Sequence, residues 1–228
     1  MGARTRDLEE ANKTAGFVAH ELNNLLTVIQ INTEFLLESV GENPASAEEL
    51  EEIQLASRRA SILARQLLAS SRLEAFDQNL AEAALRKKAV AAKSAGDVVA
   101  AAPRVAETIL LVEDEAAVRT LAKKVLIQKG YRVLEASDGA IALRLAAGHV
   151  GEIDLVLTDV VMPNLGGRGM VEELRELSPG LRVLFMSGYP KDEVFPEKGS
   201  ANRVAYLQKP FTSETLLLEV RGALGYAQ

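Results

Sequence analysis

Three carboxylates in this chain close two short apolar runs. Thr108 to Val112 leads directly into Glu113 and Asp114, and the stretch Ile153 to Pro163, IDLVLTDVVMP, is interrupted by Asp159. Neither run has a helical period, and both are short and rich in β-formers, which reads as strands buried on both faces of a parallel sheet. Open α/β sheets carry their chemistry at the carboxyl ends of such strands. If the two strands are neighbours, the three acids converge, and their mutual repulsion raises at least one pKa unless a cation joins them. Hard oxygen ligands suit Mg²⁺, which usually takes only one or two carboxylates plus phosphate oxygens. One acid is then left as a nucleophile. Two further apolar runs end in groups that bind phosphoryl oxygens: Leu181 to Met186 precedes Ser187, and Val204 to Leu207 precedes Lys209-Pro210. A hydroxyl and an ammonium at one sheet edge would stabilise the charge of an acyl phosphate during transfer. Any one of these residues alone would be an ordinary solvated strand end, but five of them at four strand ends point to one site.

On these residues the stretch 107–226 resembles the receiver domain of the response-regulator family. Glu113-Asp114, Asp159, Met162-Pro163, Gly166, Ser187, Tyr206 and Lys209-Pro210 all fall on its pattern. The resemblance implies that Asp159 is the phospho-acceptor, and that Glu113, Asp114, Asp159 and the backbone carbonyl of Val161 hold Mg²⁺. Ser187 and Lys209 would contact the phosphoryl group, Tyr206 would switch rotamer with Ser187, and the Lys209-Pro210 bond would be cis. The departure is Ser187, where many members carry Thr, which would alter switching more than acceptance.

Alternating runs and turns supply the elements that must position these groups. Strands are expected at 108–112, 131–135, 153–158, 181–186 and 204–207. Helices are expected at 115–129, 138–147, about 167–177, about 190–199 and 212–224, giving a doubly wound (βα)5 flavodoxin-like sheet. Ahead of it, residues 4–39 repeat apolar positions in steps of three and four: Leu8, Ala11, Ala15, Val18, Leu22, Leu25, Ile29, Asn32 and Leu36. That pattern predicts a helix of about 50 Å with an a/d seam. Gly41 to Pro44 breaks it, Ser46 and Glu49 form a capping box, and a second helix runs to about Phe76. The hairpin leaves its seam uncovered, so a homodimeric four-helix bundle through residues 5–76 is expected, with Asn32 fixing register.

His20 falls at heptad position f, away from the seam, with Phe17, Asn24 and Thr27 on its face. An exposed aromatic beside an imidazole reads as a docking surface. The sequence His20-Glu21-Leu22-Asn23-Asn24-Leu25-Leu26, after Gly16-Phe17-Val18-Ala19, resembles the H-box of histidine-kinase dimerisation and phosphotransfer domains over roughly residues 8–75. That likeness makes His20 the phosphorylated residue, Glu21 the acid that polarises it, and Asn24 the residue that positions water in a phosphatase reaction. Residues 77–106 are too few for the ATP-binding domain that follows the second helix in a histidine kinase, so the chain is not expected to phosphorylate His20 from ATP by itself.

Composition narrows the rest. The 228 residues include no Cys, which excludes disulfides and thiolate chemistry and is compatible with a cytoplasmic protein. The formal charge of −6 includes no basic stripe, so nucleic acid is not an expected partner. No apolar run reaches the ~20 residues needed to span a bilayer. The expected organisation is a helical dimerisation and phosphotransfer domain (1–92), a linker (93–106) and a receiver (107–228). The expected function is a Mg²⁺-dependent phosphorelay between His20 and Asp159, served by a partner kinase, response regulator or phosphotransfer protein. A phospho-aspartate phosphatase and a non-catalytic signalling adaptor are the alternatives.

Overall fold

The computed structural model describes residues 2–40, 44–70, 106–195 and 205–225. Helix α1 (Gly2–Val40) and helix α2 (Pro44–Ser70) form an antiparallel hairpin. The receiver half then alternates β1 (Thr108–Val112), α3 (Ala116–Gln128), β2 (Arg132–Ala136), α4 (Gly139–Gly148), β3 (Leu155–Asp159) and α5 (Gly167–Leu177). It continues with β4 (Arg182–Ser187), α6 (Lys191–Val194), β5 (Ala205–Gln208) and α7 (Ser213–Leu224).

The five strands are parallel in the order β2-β1-β3-β4-β5, the doubly wound arrangement expected of the alternating pattern. β1 and β3 are buried at every position, as continuous apolar strands covered on both faces must be. Ile109, Leu111, Leu155 and Leu157 face α3 and α7, packing on Val118, Leu121, Leu216 and Val220. Leu110, Val112, Val156 and Val183 face the other side, with Ala142 and Ala146 of α4 and Met170, Val171 and Leu174 of α5. Lys209-Pro210 is cis.

Two expectations change. Helix α2 starts at Pro44, whose fixed φ suits a first helical position, so Ser46 lies inside the helix instead of capping it. Helix α6 spans only Lys191–Val194, and its expected continuation to residue 199 lies outside the described residues. The last residues expected in α2, the stretch 77–92 and nearly all of the linker lie outside them too.

Helix α1 carries three faces. The buried Asn23 lies against Gly188 of the receiver half, while Ala19, Leu26, Gln30 and Thr33 are buried on the side toward α2, which answers with Leu50, Ser57, Ser61 and Ala64. Small and polar contacts dominate there: the Gln30 amide donates to Ser61 Oγ at 3.4 Å. The apolar seam, Val18, Leu22, Leu25, Ile29 and Leu36, is exposed, with Leu25 at 59%. Asn32 is exposed on it and donates to its own helix at Val28 O. The third face, Asn24, Thr27, Val28, Ile31 and Phe35, turns toward the receiver, and Ile31 is fully buried in the α3/α7 core. At 3.6 residues per turn this face and the seam lie roughly 130° apart. No described helix is long and apolar enough to cross a membrane.

Candidate functional site

Register brings the expected groups together. Val112 pairs with Thr158, so Glu113 and Asp159 leave adjacent strands side by side. Asp159 pairs with Met186 and Ser187 with Gln208, which sets Ser187 and Lys209 at the next two strand ends. Lys209 is fully buried, and its Nζ donates to Asp159 Oδ2 at 2.5 Å and Glu113 Oε2 at 2.8 Å. Asp159 Oδ1 accepts from the backbone N–H of Val161 at 3.0 Å. Ser187 is buried: its hydroxyl accepts from the N–H of Tyr189 at 3.2 Å and its carbonyl from the N–H of Lys209 at 2.7 Å. The Tyr206 hydroxyl donates to the carbonyl of Tyr189 and reaches that of Ser187 at 3.4 Å.

Electrostatics follow from burial. The carboxyl of Glu113 is pushed up to about 8 because it is desolvated, with the Asp159 and Asp114 charges adding to the effect and Lys209 opposing it. Asp114 is raised as well, by burial and then by Asp159. Burial works against the Lys209 charge, but Asp159 and Glu113 outweigh it and hold the ammonium above the ordinary lysine range.

Glu113, Asp114 and Asp159 each offer an oxygen, all within 4.8 Å of one another. Glu113 Oε1 and Asp114 Oδ1 are buried with no hydrogen-bond partner. Unpartnered buried carboxylate oxygens in an all-oxygen cluster fit a hard divalent cation.

Helix α1 completes the site from outside the sheet. Asn24 Oδ1 accepts from Lys209 Nζ at 3.0 Å, across 185 residues of sequence. Lysine can only donate, so the oxygen of that amide must face it, and the Nδ2 that lies 3.3 Å from His20 Nε2 must then donate to the ring. The imidazole therefore presents an Nε2 lone pair and carries its proton on Nδ1. His20 is half-buried and Glu21 exposed, with no hydrogen bond between them. Further along the helix, Glu34 Oε2 accepts from the N–H of Ser213 at 2.9 Å, at the positive end of α7, and Lys124 Nζ lies 3.7 Å above the Phe35 ring. Docking therefore runs along residues 23–35. Phe17, the expected docking residue, stays 66% exposed.

Two supports were not foreseen from sequence. Arg119 Nη1 donates to the carbonyls of Glu113 at 2.6 Å and Asp114 at 3.2 Å, fixing the backbone of the acid pair. A Cβ on Gly167 would stand 2.0 Å from the Asp159 carbonyl, so only glycine lets α5 begin beside the acceptor strand. The glycine run 166–169 hints at the second; the first carries no signal beyond an arginine in the early turns of α3.

A buried aspartate, lysine and hydroxyl beside an acid cluster at the carboxyl edge of a doubly wound sheet define a receiver. Comparisons agree. The response regulator receiver domain family matches residues 109–221, and the His Kinase A (phospho-acceptor) domain family matches residues 11–76. Sensor kinase CckA of Brucella abortus (strain 2308) is 38% identical over 117 residues, 51% of this chain and 12% of that protein. The response regulator receiver protein CpdR of the same strain is 30% identical over 116 residues, 51% of this chain and 95% of that protein. The crystal structure of the CckA receiver domain shares 39% identity and a TM-score of 0.44, covering 51% of this chain and 98% of that one.

The chain belongs to the response regulator receiver family and carries a histidine phospho-acceptor domain ahead of its receiver. That pairing is the one used in two-component His–Asp phosphorelay signalling. Receiver domains generally bind Mg²⁺ through an acid pocket of this kind, and phospho-acceptor domains of this family dimerise. The chain spans 12%, 50% and 24% of the length of the first three curated relatives it matches.

Proposed function

We propose that this chain passes a phosphoryl group between His20 and Asp159. The observation that carries the proposal is the unbroken line of hydrogen bonds from His20 Nε2 through the Asn24 amide to Lys209 and on to Asp159 within one chain. In the transfer, Asn24 Nδ2 first releases Nε2, the freed lone pair attacks phosphorus, the bond from phosphorus to the aspartyl oxygen breaks, and its electron pair returns to the carboxylate. The reverse step restores the acyl phosphate. Lys209 and Ser187 bind the phosphoryl oxygens as charge spreads over them, and Tyr206 follows the Ser187 hydroxyl. Mg²⁺ held by Glu113, Asp114, Asp159 and the Val161 carbonyl would neutralise part of that charge. Glu21 acts on the imidazole only after turning toward it.

In this reading residues 1–92 are the dimerisation and phosphotransfer domain, 93–106 the linker and 107–228 the receiver. The hairpin forms a homodimer through its exposed seam, a partner kinase or phosphotransfer protein supplies or removes the group, and the protein works in the cytoplasm. Labelling the full chain with acetyl phosphate tests the scheme. Label is expected on Asp159 and His20 in the parent, on Asp159 alone in His20→Ala, and on neither in Asp159→Ala. Label on His20 in Asp159→Ala contradicts the scheme.

A second reading rests on Asn24, which reaches farther into the acid site than His20 does. Its amide would orient water against a phospho-aspartate. Asn24→Ala would then lengthen the acyl-phosphate lifetime while leaving transfer to His20 in place.

A further inference from the structure

Asp159 and Lys209 have no exposed surface and Ser187 only 1%, so the groups that would receive a phosphoryl group are closed off from solvent. Two neighbouring side chains of α1 reach this place. Asn24 Oδ1 takes an N–H of Lys209 at 3.0 Å, and Asn23 lies against Gly188, directly after Ser187. Both amides are themselves buried. A phosphoryl group entering at Asp159 needs one of its oxygens bonded to Lys209, but that ammonium has only three donors, and the other two are held by Asp159 and Glu113. While Asn24 is in place, no donor remains for a phosphoryl oxygen.

We infer that the docked helix sets donor specificity: residues 23–24 shut Asp159 to small acyl phosphates from solution and reserve it for a phosphoryl group carried on the helix by His20. The occupant of the site is the chain's own α1, seated there by the buried Ile31 and by the bond from the N–H of Ser213 to Glu34. The two routes differ in what has to move. His20 stands one turn before Asn24, so passage along the helix requires that amide to turn aside. A free acyl phosphate requires the helix to lift. An Asp159 oxygen then attacks phosphorus, the bond from phosphorus to the acyl oxygen breaks, and the donor's carboxylate leaves with the electron pair. Loading from solution therefore proceeds only through the undocked fraction. The reserved route rests on the phosphotransfer reading; the closure rests only on Asp159 being the acceptor.

Initial rates of Asp159 labelling by acetyl phosphate and Mg²⁺ in the full chain test this, with docking followed by small-angle X-ray scattering. Ile31→Asp and, independently, Glu34→Lys, which sets a cation against the N-terminus of α7, should each undock the hairpin and label about 10-fold faster than the parent. Leu25→Glu, on the exposed seam, should label at the parent's rate. A parent that labels as fast as the two undocked chains overturns the gate. Label that rises on Asp159 in the undocked chains while His20 stays unlabelled in every chain leaves the closure standing and removes the transfer reading.

Discussion

Lys209 spends all three N–H donors of its ammonium inside the protein, on Asp159, Glu113 and Asn24. Removing that charge leaves two buried carboxylates facing each other. Lys209→Met should therefore lower stability by about 3–5 kcal/mol near pH 8, read by denaturant unfolding, with a smaller loss at acid pH where Glu113 takes a proton. Glu113 also gives a pH dependence. Its folded pKa, about 8, lies above its ordinary 4.5, so the stability it contributes is full below 4.5 and is lost as pH rises through 8. A cation must displace that proton. Added Mg²⁺ should raise the melting temperature more at pH 8.5 than at pH 6; equal increments at both would show that Glu113 does not hold the ion. The sheet-edge members of this site were legible in sequence because each ends an apolar run. Asn24 as the third partner of Lys209 was not, since nothing local marks a contact across 185 residues.

Among the elements, α1 shows how far periodicity can be read. Its a/d seam stood out because Leu, Ile and Val repeat in steps of three and four. The faces toward α2 and the receiver did not, because Thr27, Gln30, Thr33 and Asn24 are polar residues that only tertiary contacts bury. Phe17 drew attention as an exposed aromatic, yet docking is anchored further along by Ile31, Glu34 and Phe35, where the α3/α7 face offers an apolar gap and a helix N-terminus. Ile31→Asp places an unpaired charge in that gap and should undock the hairpin, enlarging the particle in small-angle X-ray scattering while the receiver keeps its unfolding transition. An unchanged scattering profile would show that Ile31 does not hold the two halves together.

At the scale of the molecule, one helix carries two separate surfaces. The receiver covers the His20 side, and away from it the seam residues Val18, Leu22, Leu25 and Ile29 are exposed, as are Ile53 and Leu63 of α2. Leu25→Glu should shift sedimentation equilibrium from dimer to monomer without disturbing the hydrogen bonds of Asn24. Dimers that persist unchanged would move the interface elsewhere. The two-domain organisation was legible because heptads give way to strand–helix alternation; the seating of one half on the other was not, because it depends on shape.

The lifetime of phosphohistidine at residue 20 tests the central claim most directly. With the full chain loaded chemically by phosphoramidate and quenched under alkaline conditions for mass spectrometry, phospho-His20 should decay rapidly in the presence of Mg²⁺ as the group passes to Asp159, and should persist in Asp159→Asn. Equal lifetimes in the two chains would mean that the imidazole and the receiver carboxylate do not exchange the phosphoryl group.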